Sequence, residues 1–138
     1  MTGHQMRWIL VLLVAGSLSA CLDKSRDDPD FDAAIGQYRC HCESGLADTN
    51  PPYAVTVDSS YLRDIQLTES SVLTGALAVD GQTCDVNCYH IHTDSTYVVR
   101  YDAPNRSYLL TVYTLLDSLV EQDIYPGAAS SICRGRKL

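Results

Sequence analysis

Apolar and polar residues alternate along most of this chain, and alternation with period two marks a strand with one buried face. Residues 37–43 (QYRCHCE) put Tyr38, Cys40 and Cys42 on one side, with Arg39, His41 and Glu43 on the other. Residues 53–58 (YAVTVD) set Tyr53, Val55 and Val57 in step. After Ser59-Ser60, residues 61–68 (YLRDIQLT) carry Tyr61, Arg63, Ile65 and Leu67 on one side. Leu73, Gly75, Leu77 and Val79 continue the pattern up to Asp80-Gly81, a turn signal. Residues 96–101 (TYVVRY) and 107–115 (SYLLTVYTL) flank the Pro/Asn-containing segment 102–106 and predict a hairpin.

Other segments break the alternation. Residues 44–52, with Gly45 and Pro51-Pro52, read as a loop. Beyond Leu115, the residues Leu116, Leu119, Val120 and Ile124 fall at helical spacing, with Thr114-x-x-Asp117 as a candidate cap. This predicts a strand giving way to a short helix before Pro126-Gly127; the alternative is one helix over residues 107–125. Residues 21–34 (CLDKSRDDPDFDAA) hold too few apolar side chains to offset the entropy of ordering, and read as a flexible acidic tether. Phe31 and Ile35 are a candidate first turn against the domain. Residues 35–138 then form a single small domain, a size that suits one core. Its expected fold is mainly β: a small antiparallel meander, barrel- or sandwich-like, disulfide-stapled, with a short C-terminal helix.

The N-terminus reads differently. Residues 1–7 are polar and end in Arg7, and residues 8–15 (WILVLLVA) are apolar. Crossing a bilayer takes about 20 apolar residues, so this run is a leader and not a transmembrane helix. It closes on Leu18-Ser19-Ala20-Cys21, which resembles the lipobox of bacterial lipoproteins. The resemblance covers residues 1–21. It implies a signal peptide over residues 1–20 and a lipid (diacylglyceryl and palmitate) on Cys21. Leu22 after that cysteine implies the outer membrane, facing the periplasm.

The formal net charge is −7, and all 17 acidic residues follow residue 20. Such a chain repels phosphate backbones, which excludes nucleic acid as a partner. Nine tyrosines stand against one phenylalanine, and the single tryptophan, Trp8, lies in the leader. Tyrosine suits half-buried strand positions and also exposed binding faces.

With Cys21 assigned to lipid, Cys40, Cys42, Cys84, Cys88 and Cys133 remain as disulfide candidates in an oxidising compartment. An odd number leaves one unpaired. The preferred pattern joins Cys40 or Cys42 to Cys133, near the ends of the folded part. Closing a loop of roughly 90 residues is worth about 4–5 kcal/mol in the chain-entropy model. Cys84 and Cys88 then pair across a tight loop, or one of them meets the remaining member of the 40/42 pair. A metal site is the competing reading of Cys84, Cys88, His90 and His92. A strand there places Cys88, His90 and His92 on one face, and thiolate with imidazole suits copper or zinc. Cys40-His41-Cys42 adds candidate ligands from a neighbouring strand. The C-x₃-C spacing is similar to that of copper-handling thioredoxin-fold lipoproteins, in spacing alone. The same residues also read as an ordinary strand with Tyr89 and Ile91 inward and both histidines in solvent.

No nucleophile elbow, zinc-protease helix motif or phosphate loop is present in the sequence. The chain is therefore expected not to be an enzyme. Tyr38-Arg39-Cys40 and Cys133 resemble the outline of small lipoprotein lysozyme inhibitors, which implies a lipid-anchored compact antiparallel barrel; no inhibitory residue carries over. The expected role is non-catalytic binding or structure in the cell envelope, with an envelope protein as partner and no cofactor beyond the covalent lipid. The alternative is periplasmic metal binding or thiol-redox work.

Overall fold

Backbone N–H and C=O groups that leave water need partners, and this chain satisfies them almost entirely with antiparallel ladders. The computed structural model describes residues 29–138. Cys21, the leader and most of the acidic segment lie outside the described residues. After a short helix, α1 (Pro29–Ala34), come nine strands: β1 (Gly36–Ala47), β2 (Val55–Glu69), β3 (Leu77–Val79), β4 (Gln82–Thr83), β5 (Cys88–His92), β6 (Thr96–Ala103), β7 (Arg106–Tyr113), β8 (Ser118–Ile124) and β9 (Ala129–Lys137). They form one sheet in the order β4-β3-β2-β1-β9-β8-β7-β6-β5, curled into a half-barrel. The chain is thus a mainly antiparallel β protein, as the alternation predicts. Among the described residues no helix is long and apolar enough to cross a membrane.

The inward face follows the period-two pattern. Tyr38, Cys40 and Cys42 on β1 are fully buried, as are Ile65 and Leu67 on β2 and Leu110 and Val112 on β7. The Asp80-Gly81 turn joins β3 to β4, with both residues at positive φ (50° and 78°), the combination a two-residue hairpin turn requires.

Several elements depart from the sequence reading. The runs read at 53–58 and 61–68 merge into one strand, β2, which starts at Val55, because β1 is long enough to pair across Ser59-Ser60. A register shift opposite Ser44/Gly45 absorbs the extra residue there. Gly45 is required at that point, since a Cβ would collide with the Thr56 carbonyl. The hairpin over 102–106 is tighter than expected: Ala103 pairs with Arg106, so Pro104-Asn105 alone make the turn.

The helix expected after Leu115 shrinks to a single 3₁₀ turn (Thr114–Leu116), closed by Asp117 in the left-handed region, and β8 follows as a strand. Helical spacing misled there because Glu121, an inward position two residues after buried Leu119, carries a charge and hides the alternation. The one α-helix among the described residues sits instead at the start of the domain. Residues 29–34, read as the end of the tether, form α1. Ala34 is fully buried and Phe31 packs on the core. The Tyr38 hydroxyl donates to the Ala34 carbonyl (2.9 Å) and Lys137 Nζ to the Ala33 carbonyl (2.8 Å).

Two disulfides staple the sheet. Cys42 on β1 bonds Cys133 on β9, 91 residues away, and Cys84 bonds Cys88. Cys40 is a free, buried thiol. Its neighbour Gly135 leaves room for it, since a Cβ there would strike Cys40 Sγ. Replacing Cys42 and Cys133 together by Ala is expected to cost about 3–5 kcal/mol in urea unfolding, whereas removing Cys84–Cys88, which closes a short loop, costs less.

Burial, then the Glu121 charge, pushes the Cys40 thiol up from 9.0 to about 11. Burial, then Asp117, pushes the Tyr38 phenol up to about 12. Both groups are held protonated by the fold, so their stabilisation is complete below the unfolded values and fades as pH rises through the folded ones. Stability is expected to fall between pH 9 and 11. Peptide mapping after iodoacetamide treatment should find Cys40 labelled only in step with that unfolding.

Candidate functional site

A half-barrel built from an open sheet has two edges, here β4 and β5, and their backbones do not continue the ladder. Side chains bridge the seam between them. The Cys84–Cys88 disulfide joins the residue after β4 to the first residue of β5. His90 on β5 places Nε2 2.7 Å from the Cys84 carbonyl and Nδ1 2.6 Å from the Tyr97 hydroxyl. A carbonyl only accepts, so in the neutral ring Nε2 carries the proton and Nδ1 accepts from Tyr97. The Tyr97 oxygen in turn accepts the Leu77 N–H of β3 at 2.9 Å. His92 Nε2 lies 3.2 Å from the Gly75 carbonyl, and the His92 ring meets Tyr97 edge-on and Phe31 face-on.

This arrangement decides between the readings of the Cys84–His92 segment. Cys88, His90 and His92 do share the inward face, while Tyr89 and Ile91 are 67% and 48% exposed. The reading with Tyr89 and Ile91 inward is therefore corrected. As a metal site the cluster fails on its donors: Cys84 and Cys88 are bonded to each other, and both ring nitrogens of His90 are already engaged. Among the described residues no group of three or more His, Cys, Asp or Glu is placed to hold a metal ion. Cys40 and Cys42 face the interior, but His41 alternates to the exposed side, so Cys40-His41-Cys42 does not converge either.

The residues that converge lie further along the same strands, inside the curl. A cavity of about 600 Å³ is lined by β2, β3, β4, β6, β7, β8, Ser131 of β9 and the disulfide loop. Its apolar side is Leu77, Val79 and Val99. Its polar wall is a network around Glu121. This carboxylate is nearly buried; Arg63 Nη1 donates to Oε2 (2.7 Å) and the Tyr108 hydroxyl to Oε1 (3.0 Å). Arg63 Nη2 also pairs with Asp80, whose other oxygen accepts the Gln66 N–H. On the next strands, Arg106 makes a two-point pair with Asp123 at 2.8 and 3.2 Å. The Arg106 guanidinium lies 5.4–5.8 Å from the rings of Tyr101, Tyr108 and Tyr125. Burial, followed by the charge of Glu121, raises the Tyr108 phenol well above its ordinary value, so it remains a hydrogen-bond donor.

Sequence reading placed none of these residues in a site, though it did place one on the right face. Arg63 stood in step with Tyr61, Ile65 and Leu67, and a charge on an apolar face needs a buried partner. That was the available signal. Glu121 and Asp123 lay in the segment read as a helix, so their common inward direction was hidden.

Removing Glu121 leaves Arg63 Nη1 and the Tyr108 hydroxyl without their acceptor, while Arg63 Nη2 keeps Asp80. Glu121→Ala is expected to lose about 2–3 kcal/mol in denaturant titration, at the low end for a buried pair because Arg63 is partly solvated. Arg39→Ala, which breaks the solvent-exposed pair with Asp64, should shift the midpoint little. Comparison with known proteins gives no family model, no curated protein and no solved structure that matches this chain.

Proposed function

We propose that the chain is a lipid-anchored protein of the bacterial cell envelope that binds without catalysis, through the cavity of its half-barrel. The carrying observation is that, Asp85 apart, the cavity's carboxylates are already committed to neighbouring groups. Both oxygens of Glu121 accept hydrogen bonds, both oxygens of Asp123 hold Arg106, and Asp80 is fixed by Arg63 and a backbone amide. A catalytic base or nucleophile needs an orbital facing substrate and a partner that activates it. A recognition wall needs polar groups held in fixed directions around a concave surface of a few hundred Å³, which is what these pairs supply.

The anchor rests on Leu18-Ser19-Ala20-Cys21 and the leader before it. Two or more acyl chains on one residue hold a protein at a bilayer durably, at about 0.8 kcal/mol per buried CH₂. A link from Cys21 to α1 leaves the domain free to meet an envelope partner. Metabolic labelling with palmitate and intact-mass measurement test this directly. The wild type is expected to carry lipid mass on an N-terminal Cys21 and to fractionate with membranes. Cys21→Ser should lose both. Membrane association and mass that do not change in the variant contradict the anchor.

A further inference from the structure

The cavity wall has a chemistry that narrows what it holds. Four lining carboxylates (Asp80, Asp85, Glu121, Asp123) face two arginines, Arg63 and Arg106, so an anion meets net repulsion. A purely apolar ligand is equally disfavoured, because it would strip water from fixed ion pairs and return no hydrogen bonds. An ammonium ligand finds three of the four carboxylates already bonded to arginine. A hydroxyl, in contrast, both donates and accepts. Guanidinium N–H groups and carboxylate oxygens share this wall, and each of the bonded carboxylate oxygens has a second lone pair beyond the one its donor uses. Val79 and the half-exposed ring of Tyr101, which stands beside Arg106, offer accessible surface suited to C–H groups, while Leu77 and Val99 back the wall from the core and are fully buried.

We propose that the cavity binds a neutral saccharide of one or two rings, with its hydroxyls on the Arg63–Glu121–Asp80 and Arg106–Asp123 groups and a C–H face on Tyr101 and Val79. This rests on the reading of the half-barrel as a binding module and names the ligand class for it. The volume, about 600 Å³, is within the range of small-molecule sites and leaves room for two pyranose rings. Recognition works through prepaid order: the ion pairs already hold the polar groups in place, so the ligand need not organise them. Because each arginine is neutralised in place, binding is expected to depend weakly on salt.

The test is protein-detected NMR on the full lipidated chain in a sugar-free zwitterionic detergent. Maltose, cellobiose and N,N′-diacetylchitobiose are the saccharide probes; spermidine and citrate are the charged ones. At least one disaccharide should shift the Tyr101, Arg106 and Glu121 signals saturably at millimolar concentration or below, with the same affinity at low and high salt. Tyr101→Ala should weaken that binding by about tenfold or more. Ser131→Trp, which fills the cavity from β9 and keeps the β1–β9 ladder, should abolish it and serves where Tyr101→Ala fails to fold. Spermidine or citrate shifting those signals in place of the sugars overturns the saccharide and leaves a binding cavity. Silence from all five probes overturns both.

Discussion

The edges of a sheet are its weak point, since each presents a row of unpaired backbone groups. This fold brings its two edges, β4 and β5, together and holds them with side chains in place of a continued ladder. The Cys84–Cys88 bond fixes the chain across the gap, His90 ties β5 to the Cys84 carbonyl, and Tyr97 ties it to the Leu77 amide. The Cys84 carbonyl, which can only accept, sets the direction of these bonds: His90 Nε2 donates to it, so Nδ1 accepts from the Tyr97 hydroxyl, whose oxygen accepts the Leu77 N–H. Everything inside the curl depends on that closure. With the seam apart, β3 and its Leu77 and Val79 would swing away from Val99 and Tyr101, and the cavity would become an open face.

The seam and the cavity divide the length of the half-barrel. At the Tyr97 end of β6, α1 packs Phe31 against Tyr97 and His92 and fills the curl with apolar and aromatic groups. Further along, at Val99 and Tyr101, the interior turns polar. Charges at inward positions are costly unless they are paired and bonded, and here Arg63, Asp80, Glu121 and Tyr108 meet that condition as a group. A hydrophobic set of the same shape would serve stability as well or better. That the interior holds ion pairs beside an open volume is the physical ground for regarding this end as a binding site.

Much of this was legible in the residues. Tyr38, Cys40 and Cys42 announced an inward face, Asp80-Gly81 a hairpin, and the placing of Cys40 or Cys42 and of Cys133 near the ends of the folded part a long-range staple, with the choice of Cys42 left to the structure. The site was not legible, for a reason particular to it. Alternation is read from apolar residues, and the cavity wall puts charges where apolar residues are expected. Glu121 after Leu119 broke the pattern of β8 into an apparent helix, and His90 and His92 looked like ligands because their partners, Tyr97 and backbone carbonyls, are distant or invisible in a motif. α1 was legible in part: Phe31 and Ile35 marked a candidate first turn and both pack on the core, but the charge around them read as tether.

The Leu77 amide reports on the seam most directly, because its acceptor is the Tyr97 hydroxyl across the gap and not a neighbouring strand. Native-state hydrogen exchange should find this amide protected in the wild type. In Tyr97→Phe it should exchange about tenfold faster or more, while amides at the centre of the β1–β9 ladder, such as that of Cys42, keep their protection. A Leu77 amide that exchanges freely in the wild type, or that is indifferent to loss of the hydroxyl, would contradict closure of the half-barrel by side chains.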